Sequence, residues 1–106
     1  YSSFFKLPEQ NRNVVTGWLA FPLVIKKSAG FSRKKLQIYL EKRGIQTRTI
    51  FTGNILRQPI MKNKYYKKYS KSQKVSDDVM RNGILIGCHH GLKQRELNQM
   101  RRFCSI

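Results

Sequence analysis

The sequence predicts one α+β domain in which helices cover one face of a small sheet. Short β-rich segments alternate with segments whose apolar residues recur at helical spacing, in the order β, α, β, loop, α, β, α. The chain has 106 residues, 40% of them hydrophobic. This length suffices for one domain with a modest core and does not suffice for two.

The domain is predicted to begin after a short polar stretch. Residues 1–16 are irregular and polar, and we interpret them as a linker or entry strand before the domain proper, residues 17–106. Residues 18–25 (WLAFPLVI) form a β-rich apolar run. Because Pro22 within this run has no backbone N–H to donate, we expect this strand to lie at an edge or to carry a bulge.

The first helix has recognisable start and stop signals. The Ser32 hydroxyl can accept a hydrogen bond from a free backbone N–H at the helix start, and the helix should extend to about Arg43. Gly44 follows, and glycine most easily adopts the left-handed conformation that ends a helix. The apolar residues at helical spacing are Leu36, Tyr39 and Leu40.

A second strand and a basic loop are predicted next. Residues 45–51 alternate imperfectly and are rich in Thr and Ile, which favours a short strand. Gly53 and Asn54 indicate a turn. Residues 62–74 hold six lysines and three tyrosines, and we expect a mobile surface loop with some helix there.

The last third predicts two helices around a strand. Ser76 is the expected N-cap of the first, and Asp77 and Asp78 lie where the helix dipole is positive. Residues 84–87 predict a strand, and residues 93–104 predict the final helix. The side chains expected to pack on one side of the sheet are Leu36, Tyr39, Leu40, Leu97 and Met100.

The charge balance is strongly positive, with 22 Lys and Arg against five acids and a formal net charge of +17. This composition is typical of a polyanion-binding protein or of a lysine-rich solvated surface. Tyr65, Tyr66 and Tyr69 are interleaved with lysines, as in single-strand binders, although a solvated loop whose tyrosines pack on the domain is favoured. Because the lysines are spread along the chain, we expect weak, non-specific polyanion binding that salt removes.

The cysteines indicate neither a disulfide framework nor a metal site. Cys88 and Cys104 are the two cysteines, and Cys88 is followed by His89 and His90. Structural zinc sites use spaced ligand pairs rather than adjacent residues, so no metal is predicted. A reducing cytoplasm is the default location, and no apolar run is long enough for a membrane span.

Three ordered segments resemble a known family. They are residues 18–25 with the helix start at Phe31, residues 44–59 (GIQTRTIFTGNILRQP) and residues 84–92 (ILIGCHHGL). In this order and spacing they resemble the C-terminal domain of the fold-type-I sugar aminotransferases and dehydratases. The second segment looks like the branch of NDP-4-keto-6-deoxyhexose 3-dehydratases, enzymes of deoxysugar and lipopolysaccharide biosynthesis.

The resemblance implies a cofactor and a reaction. The cofactor would be pyridoxamine phosphate or pyridoxal phosphate (PLP), whose amine form condenses with the 4-keto group of a nucleotide sugar before the C3 hydroxyl is expelled. A sugar-nucleotide aminotransferase of the same family is the alternative. A stand-alone basic nucleic-acid-binding domain is the alternative from a different class.

The resemblance also implies that the catalyst extends beyond this chain. The family places its cofactor site and catalytic base in a large N-terminal domain that is absent here, so we expect no catalytic residues and no cofactor binding in these 106 residues alone. The full-length protein would be a homodimer. One departure is Lys93, where the family has a threonine cap, although Glu96 is kept; this should weaken the helix start by roughly 1 kcal/mol.

Four residues are predicted to contact the substrate on the strength of these motifs: Arg48, Asn54, Arg57 and His89. Guanidinium groups suit multi-donor recognition of phosphate or sugar oxygens. The alternatives are a solvated arginine, a turn asparagine and a neutral structural histidine. Trp18 and Phe51 are expected to fill the core or a domain interface rather than to stack on a base.

Overall fold

Four strands pair antiparallel into one sheet in the computed structural model, which describes residues 3–67 and 72–104. The strand order is β1–β2–β4–β3. The strands are β1 (Phe5–Lys6), β2 (Ala20–Ile25), β3 (Thr47–Thr49) and β4 (Gly83–Gly87). The helices are α1 (Arg33–Glu41), α2 (Lys74–Asn82) and α3 (Gln94–Cys104), and short 3₁₀ turns occupy Lys27–Ala29, Ile55–Arg57 and Pro59–Met61. The predicted α+β class is confirmed.

The core lies between one face of the sheet and helices α1 and α3. Its buried members are Phe5, Leu23, Ile25, Ala29, Leu36, Leu40, Ile84 and Ile86. Tyr39 and Met100 are half-buried and pack against this core, as expected. Leu97 is 38% exposed and lies at the margin, where it lines an apolar groove beside Met100.

Pro22 occupies a position that its missing N–H permits. β2 is flanked by β1 and β4, but β1 pairs only with Val24 and Ile25. Within the described residues, the side of β2 away from β4 therefore has no strand partner at Pro22. Pro22 therefore lies at an edge of the sheet, as predicted, whereas the C-terminal end of β2 lies between two strands.

The predicted start of α1 is present, and that of α2 is wrong. The Ser32 hydroxyl accepts a hydrogen bond from the Lys35 N–H at 3.3 Å. α2 begins at Lys74 with Gln73 as its N-cap, so Ser76 lies inside the first turn rather than before it. The helix begins two residues before the hydroxyl that was expected to cap it, and Asp77 and Asp78 make tertiary contacts with Arg57 and Lys6.

Helix α2 approaches the sheet from the face opposite to α1 and α3. Val24, which alternates with the buried Leu23 and Ile25, lines a cleft with Val75 and Val79 of α2. Lys6 on β1 also pairs with Asp78 of α2 at 3.1 Å. The expectation that all helices cover one face is corrected by this placement. None of the described helices is long and apolar enough to cross a bilayer.

Candidate functional site

Arg48 lies at the middle of β3, on the sheet face that carries no α1 contact. Its Cα partner is Leu85 of β4, whereas the neighbouring Thr47 is buried against α1. The Arg48 side chain is exposed, and no hydrogen bond or ion pair with a described residue engages its guanidinium. It lines an open groove along β3 together with Leu19, Phe51, Leu85 and Gly87, which we name the β3 groove.

A tight turn follows β3 and places Phe51 at the rim of the β3 groove. Phe51 has φ 44°, in the left-handed region that side chains larger than glycine rarely adopt. Three hydrogen bonds hold the turn: Thr49 Oγ1 donates to the Phe51 carbonyl at 3.3 Å, the Gly53 N–H to the Ile50 carbonyl at 3.0 Å, and Gln58 Nε2 to the Thr52 carbonyl at 2.8 Å. The Phe51 side chain is 81% exposed, so it does not fill the core of this chain. The other expectation for Phe51, that it fills a domain interface, stays a prediction.

Asn54 and Arg57 are tied to Asp77 of α2, and we name these three residues the Asp77 anchor. Asn54 is 3% exposed; its Nδ2 donates to Asp77 Oδ1 at 2.8 Å, and its Oδ1 accepts from the Leu56 N–H at 3.0 Å. Arg57 donates to both Asp77 oxygens, from Nε at 3.0 Å and from Nη2 at 2.8 Å. Asp77 thus fastens the segment after β3 to α2.

The Asp77 anchor favours the ionised form of the Asp77 carboxyl group. The hydrogen bonds from Arg57 and then Asn54 lower the pKa of Asp77 to about 2, because both donors stabilise the carboxylate. The same carboxylate raises the pKa of Arg57 above its ordinary value. Two of the four predicted substrate-binding residues, Asn54 and Arg57, therefore have internal partners that bind their donors.

His89 lies beyond the opposite end of the sheet from the Asp77 anchor. It follows the end of β4, whereas Gly83 at the start of β4 lies against α2 and Ile50. Its Nδ1 accepts a hydrogen bond from the Gly91 N–H at 3.1 Å, and its ring meets His90 edge-on. The length of β4 alone separates the two ends by roughly 13 Å. The four predicted residues do not form one cluster.

The buried polar groups leave no donor set for a cofactor phosphate. The buried polar residues of the described chain are Thr47 and Asn54. Thr47 donates twice to Glu41 Oε1, and Asn54 belongs to the Asp77 anchor. No buried side-chain nitrogen or oxygen among residues 3–67 and 72–104 lacks a hydrogen-bond partner. These residues do not fit a PLP site, and that the chain alone binds no cofactor stays a prediction.

The described residues include no metal site, and their basic segment after Lys62 is open to solvent. No group of three His, Cys, Asp or Glu residues in the described chain could hold an ion. Cys88 is free and half-buried. Tyr65 is fully exposed and Tyr66 is 38% exposed, so Tyr65 does not pack on the domain as expected. Tyr69 lies outside the described residues.

Sequence reasoning missed Asp77 and Phe51 as components of this region. Asp77 was assigned to the helix dipole, although the scarcity of acids, five in 106 residues, was a signal that each has a specific partner. Phe51 stands two residues before Gly53 in a turn sequence, where an aromatic is uncommon. No local sequence pattern predicts the left-handed backbone conformation of Phe51.

The comparison with known proteins decides the family. A profile of the DegT/DnrJ/EryC1/StrS aminotransferase family matches residues 2–102. The chain belongs to this family. The resemblance seen in the sequence is thereby confirmed.

Individual members of the DegT/DnrJ/EryC1/StrS family match with moderate identity. The lipopolysaccharide biosynthesis protein RfbH of Salmonella typhimurium (strain LT2) is 31% identical over 97 residues, covering 92% of this chain and 22% of that protein. The dTDP-4-dehydro-2,6-dideoxy-D-glucose 3-dehydratase of Saccharopolyspora spinosa is 30% identical over 92 residues, covering 87% of this chain and 20% of that protein.

A solved structure matches the fold. The E. coli GDP-4-keto-6-deoxy-D-mannose-3-dehydratase with bound hydrated PLP superposes with a TM-score of 0.81 at 27% identity, covering 94% of this chain and 25% of that chain. The chain thus spans a fifth to a quarter of the length of these relatives. The family comprises PLP-dependent sugar dehydratases and aminotransferases, and this chain has the fold of one part of such an enzyme.

Proposed function

We propose that residues 17–106, together with strand β1 that completes their sheet, are the C-terminal, substrate-side domain of an enzyme that removes the C3 hydroxyl from an NDP-4-keto-6-deoxyhexose. The observation that carries the proposal is Arg48, an exposed guanidinium without a partner among the described residues, in a groove of a chain that matches 3-dehydratases. Lipopolysaccharide or deoxysugar biosynthesis is the corresponding process. The alternative is a sugar-nucleotide aminotransferase of the same family.

The residues of this chain bind and position rather than react. Arg48 presents a planar, multi-donor cation that suits phosphate or sugar oxygens. The Asp77 anchor holds the segment after β3 in place, so that Asn54 and Arg57 support the groove instead of meeting the substrate through the donors that Asp77 occupies. His89 remains a second candidate contact, from the other end of the sheet.

The cofactor belongs, in this proposal, to the part of the enzyme outside this chain. PLP or its amine form would supply the electron sink for breaking the bond at C3. The domain described here would close over the sugar and exclude water from the reaction. Alone it would be inactive.

The proposed oligomeric state, location and substrate are those that the family resemblance implies. We propose that the full-length protein is a cytoplasmic homodimer whose nucleotide sugar reaches both parts of the enzyme. The exposed lysines of residues 62–67 would add weak polyanion binding that salt removes. The substrates in the names of the relatives include both dTDP- and GDP-linked sugars, so either nucleotide is a candidate here.

A product assay tests the proposed reaction. The full-length protein, supplied with pyridoxamine phosphate and a GDP- or dTDP-linked 4-keto-6-deoxyhexose, should form a sugar that lacks the C3 oxygen, detected by mass spectrometry. The 106-residue chain alone is the control and should form none. A 4-amino product that keeps the C3 hydroxyl would establish the aminotransferase instead. No turnover of any nucleotide sugar would contradict the proposal.

A further inference from the structure

Phe51 combines a disfavoured backbone with a side chain that the fold does not use. Its φ of 44° costs free energy for any residue with a Cβ, and a glycine or asparagine would occupy such a turn more easily. Its ring is 81% exposed and contributes almost nothing to the core. Strained residues of this kind persist where the surrounding structure holds them in place and where the resulting geometry serves a function.

The surrounding structure does hold Phe51 in place. The hydrogen bonds of Thr49, Gly53 and Gln58 fix the turn on both sides of it. Gly53 lies so close to Met80 of α2 that a Cβ there would come within 2.5 Å of the Met80 side chain. The Asp77 anchor begins one residue later, at Asn54. The Phe51 ring is therefore exposed on a turn whose backbone is held by contacts on both sides.

We propose that Phe51 and Arg48 form the nucleoside diphosphate subsite of the β3 groove, with the Phe51 ring stacking on the base and the Arg48 guanidinium pairing with the diphosphate. Both residues line this groove, and both are exposed. Stacking on an aromatic ring accepts any base, whereas hydrogen bonds to base edges select one. This inference rests on the proposed function, because it takes a nucleotide sugar as the substrate.

The charge next to Phe51 favours a ligand over an apolar domain face. Arg48 has no acidic partner in the described chain, and burying an unpaired guanidinium against an apolar surface is costly. A diphosphate removes that cost by pairing with the cation. A stacked base would cover the Phe51 ring at the same time.

Calorimetric titration of the full-length protein tests the subsite without relying on turnover. The titrants are GDP, dTDP and inorganic pyrophosphate, which has the diphosphate but no base. Phe51→Gly should fold at least as well as the wild type, since glycine relieves the strain, and should bind both nucleotides roughly 10-fold more weakly. Its affinity for pyrophosphate should not change. Arg48→Gln should lower the affinity for all three ligands.

Two further variants keep the test specific. Val75→Ala changes an apolar residue that is 80% exposed, matching the exposure of Phe51, and should leave all affinities unchanged. Phe51→Trp should restore nucleotide binding that Phe51→Gly loses. Unchanged nucleotide affinity in Phe51→Gly would overturn the subsite. If the melting temperature of this variant also fell, Phe51 would be shown to pack against the rest of the protein instead. Nucleotide binding through Phe51 in a protein without dehydratase activity would contradict the proposed function alone.

Discussion

The β3 groove and the Asp77 anchor each hold an arginine from the same sequence motif, and the two arginines have opposite surroundings. Arg57 donates two hydrogen bonds to Asp77, at 3.0 and 2.8 Å. Arg48 is exposed and has no partner among the described residues. The motif offers both arginines as ligand contacts and favours Arg48 somewhat. The geometry separates the cation that stabilises a segment, Arg57, from the cation available to an anion, Arg48.

The small number of acidic residues explains why one arginine is paired and the other is not. The chain has five acids against 22 Lys and Arg, and four of the five make hydrogen bonds within the described residues. They are Glu41, Asp77, Asp78 and Glu96. With so few carboxylates, the fold pairs only a small part of its cations. The unpaired cations in grooves are therefore the ones to test for ligand binding.

The largest expected effect lies in the segment that joins the two regions. Gly53→Ala adds a Cβ where the backbone has φ 69° and where Met80 leaves no space, so it should destabilise the fold by about 2–4 kcal/mol. Chemical denaturation of the chain measures this. Gly17→Ala is the matched control, since Gly17 has open space around its Cα, and it should cost less than about 1 kcal/mol. Equal effects of the two substitutions would show that the turn is not held against α2.

A smaller effect should appear in the pH dependence of stability. The pKa of Asp77 is lowered to about 2 by Arg57 and Asn54, so the folded state binds its proton less readily than the unfolded chain. The anchor therefore contributes stability above about pH 4, and the contribution is lost as the pH falls from about 4 towards 2. The difference in melting temperature between the wild type and Asp77→Asn should shrink over this window.

The control for the pH profile is Asn63→Ala. Asn63 is exposed and its side chain makes no hydrogen bond in the part of the chain that the structure describes. This variant should keep the wild-type profile throughout. A difference between Asp77→Asn and the wild type that stays constant from pH 5 to pH 2 would mean that the carboxylate does not hold the segment through its charge.

The elements that sequence reasoning predicted correctly are those with a local physical signal. Ser32 and the apolar spacing of Leu36 and Leu40 fixed α1, because capping and amphipathicity act within one helix. Ser76 gave the same kind of signal and misled, since Gln73 occupies the N-cap position and Asp77 is hydrogen-bonded to Asn54, 23 residues earlier in the chain. Local patterns do not contain such long-range partners.

The candidate site was predictable only in part for the same reason. The motif identified Arg48, Asn54, Arg57 and His89, but it could not show that Asn54 and Arg57 contact Asp77 or that His89 lies at the far end of β4. The exposure and left-handed backbone of Phe51 depend on three hydrogen bonds and on Met80. These features arise from tertiary packing and have no signature in the sequence.

One paired measurement on the full-length protein tests whether the β3 groove contacts the substrate and the Asp77 anchor stabilises the fold. The Michaelis constant for the nucleotide sugar and the melting temperature are determined for Arg48→Gln and Arg57→Gln. We predict that Arg48→Gln raises the Michaelis constant roughly 10-fold, since a charge-assisted contact is lost, with an unchanged melting temperature. Arg57→Gln should lower the melting temperature and change the Michaelis constant much less. The reverse pattern, with the larger Michaelis constant in Arg57→Gln and the lower melting temperature in Arg48→Gln, would contradict the account.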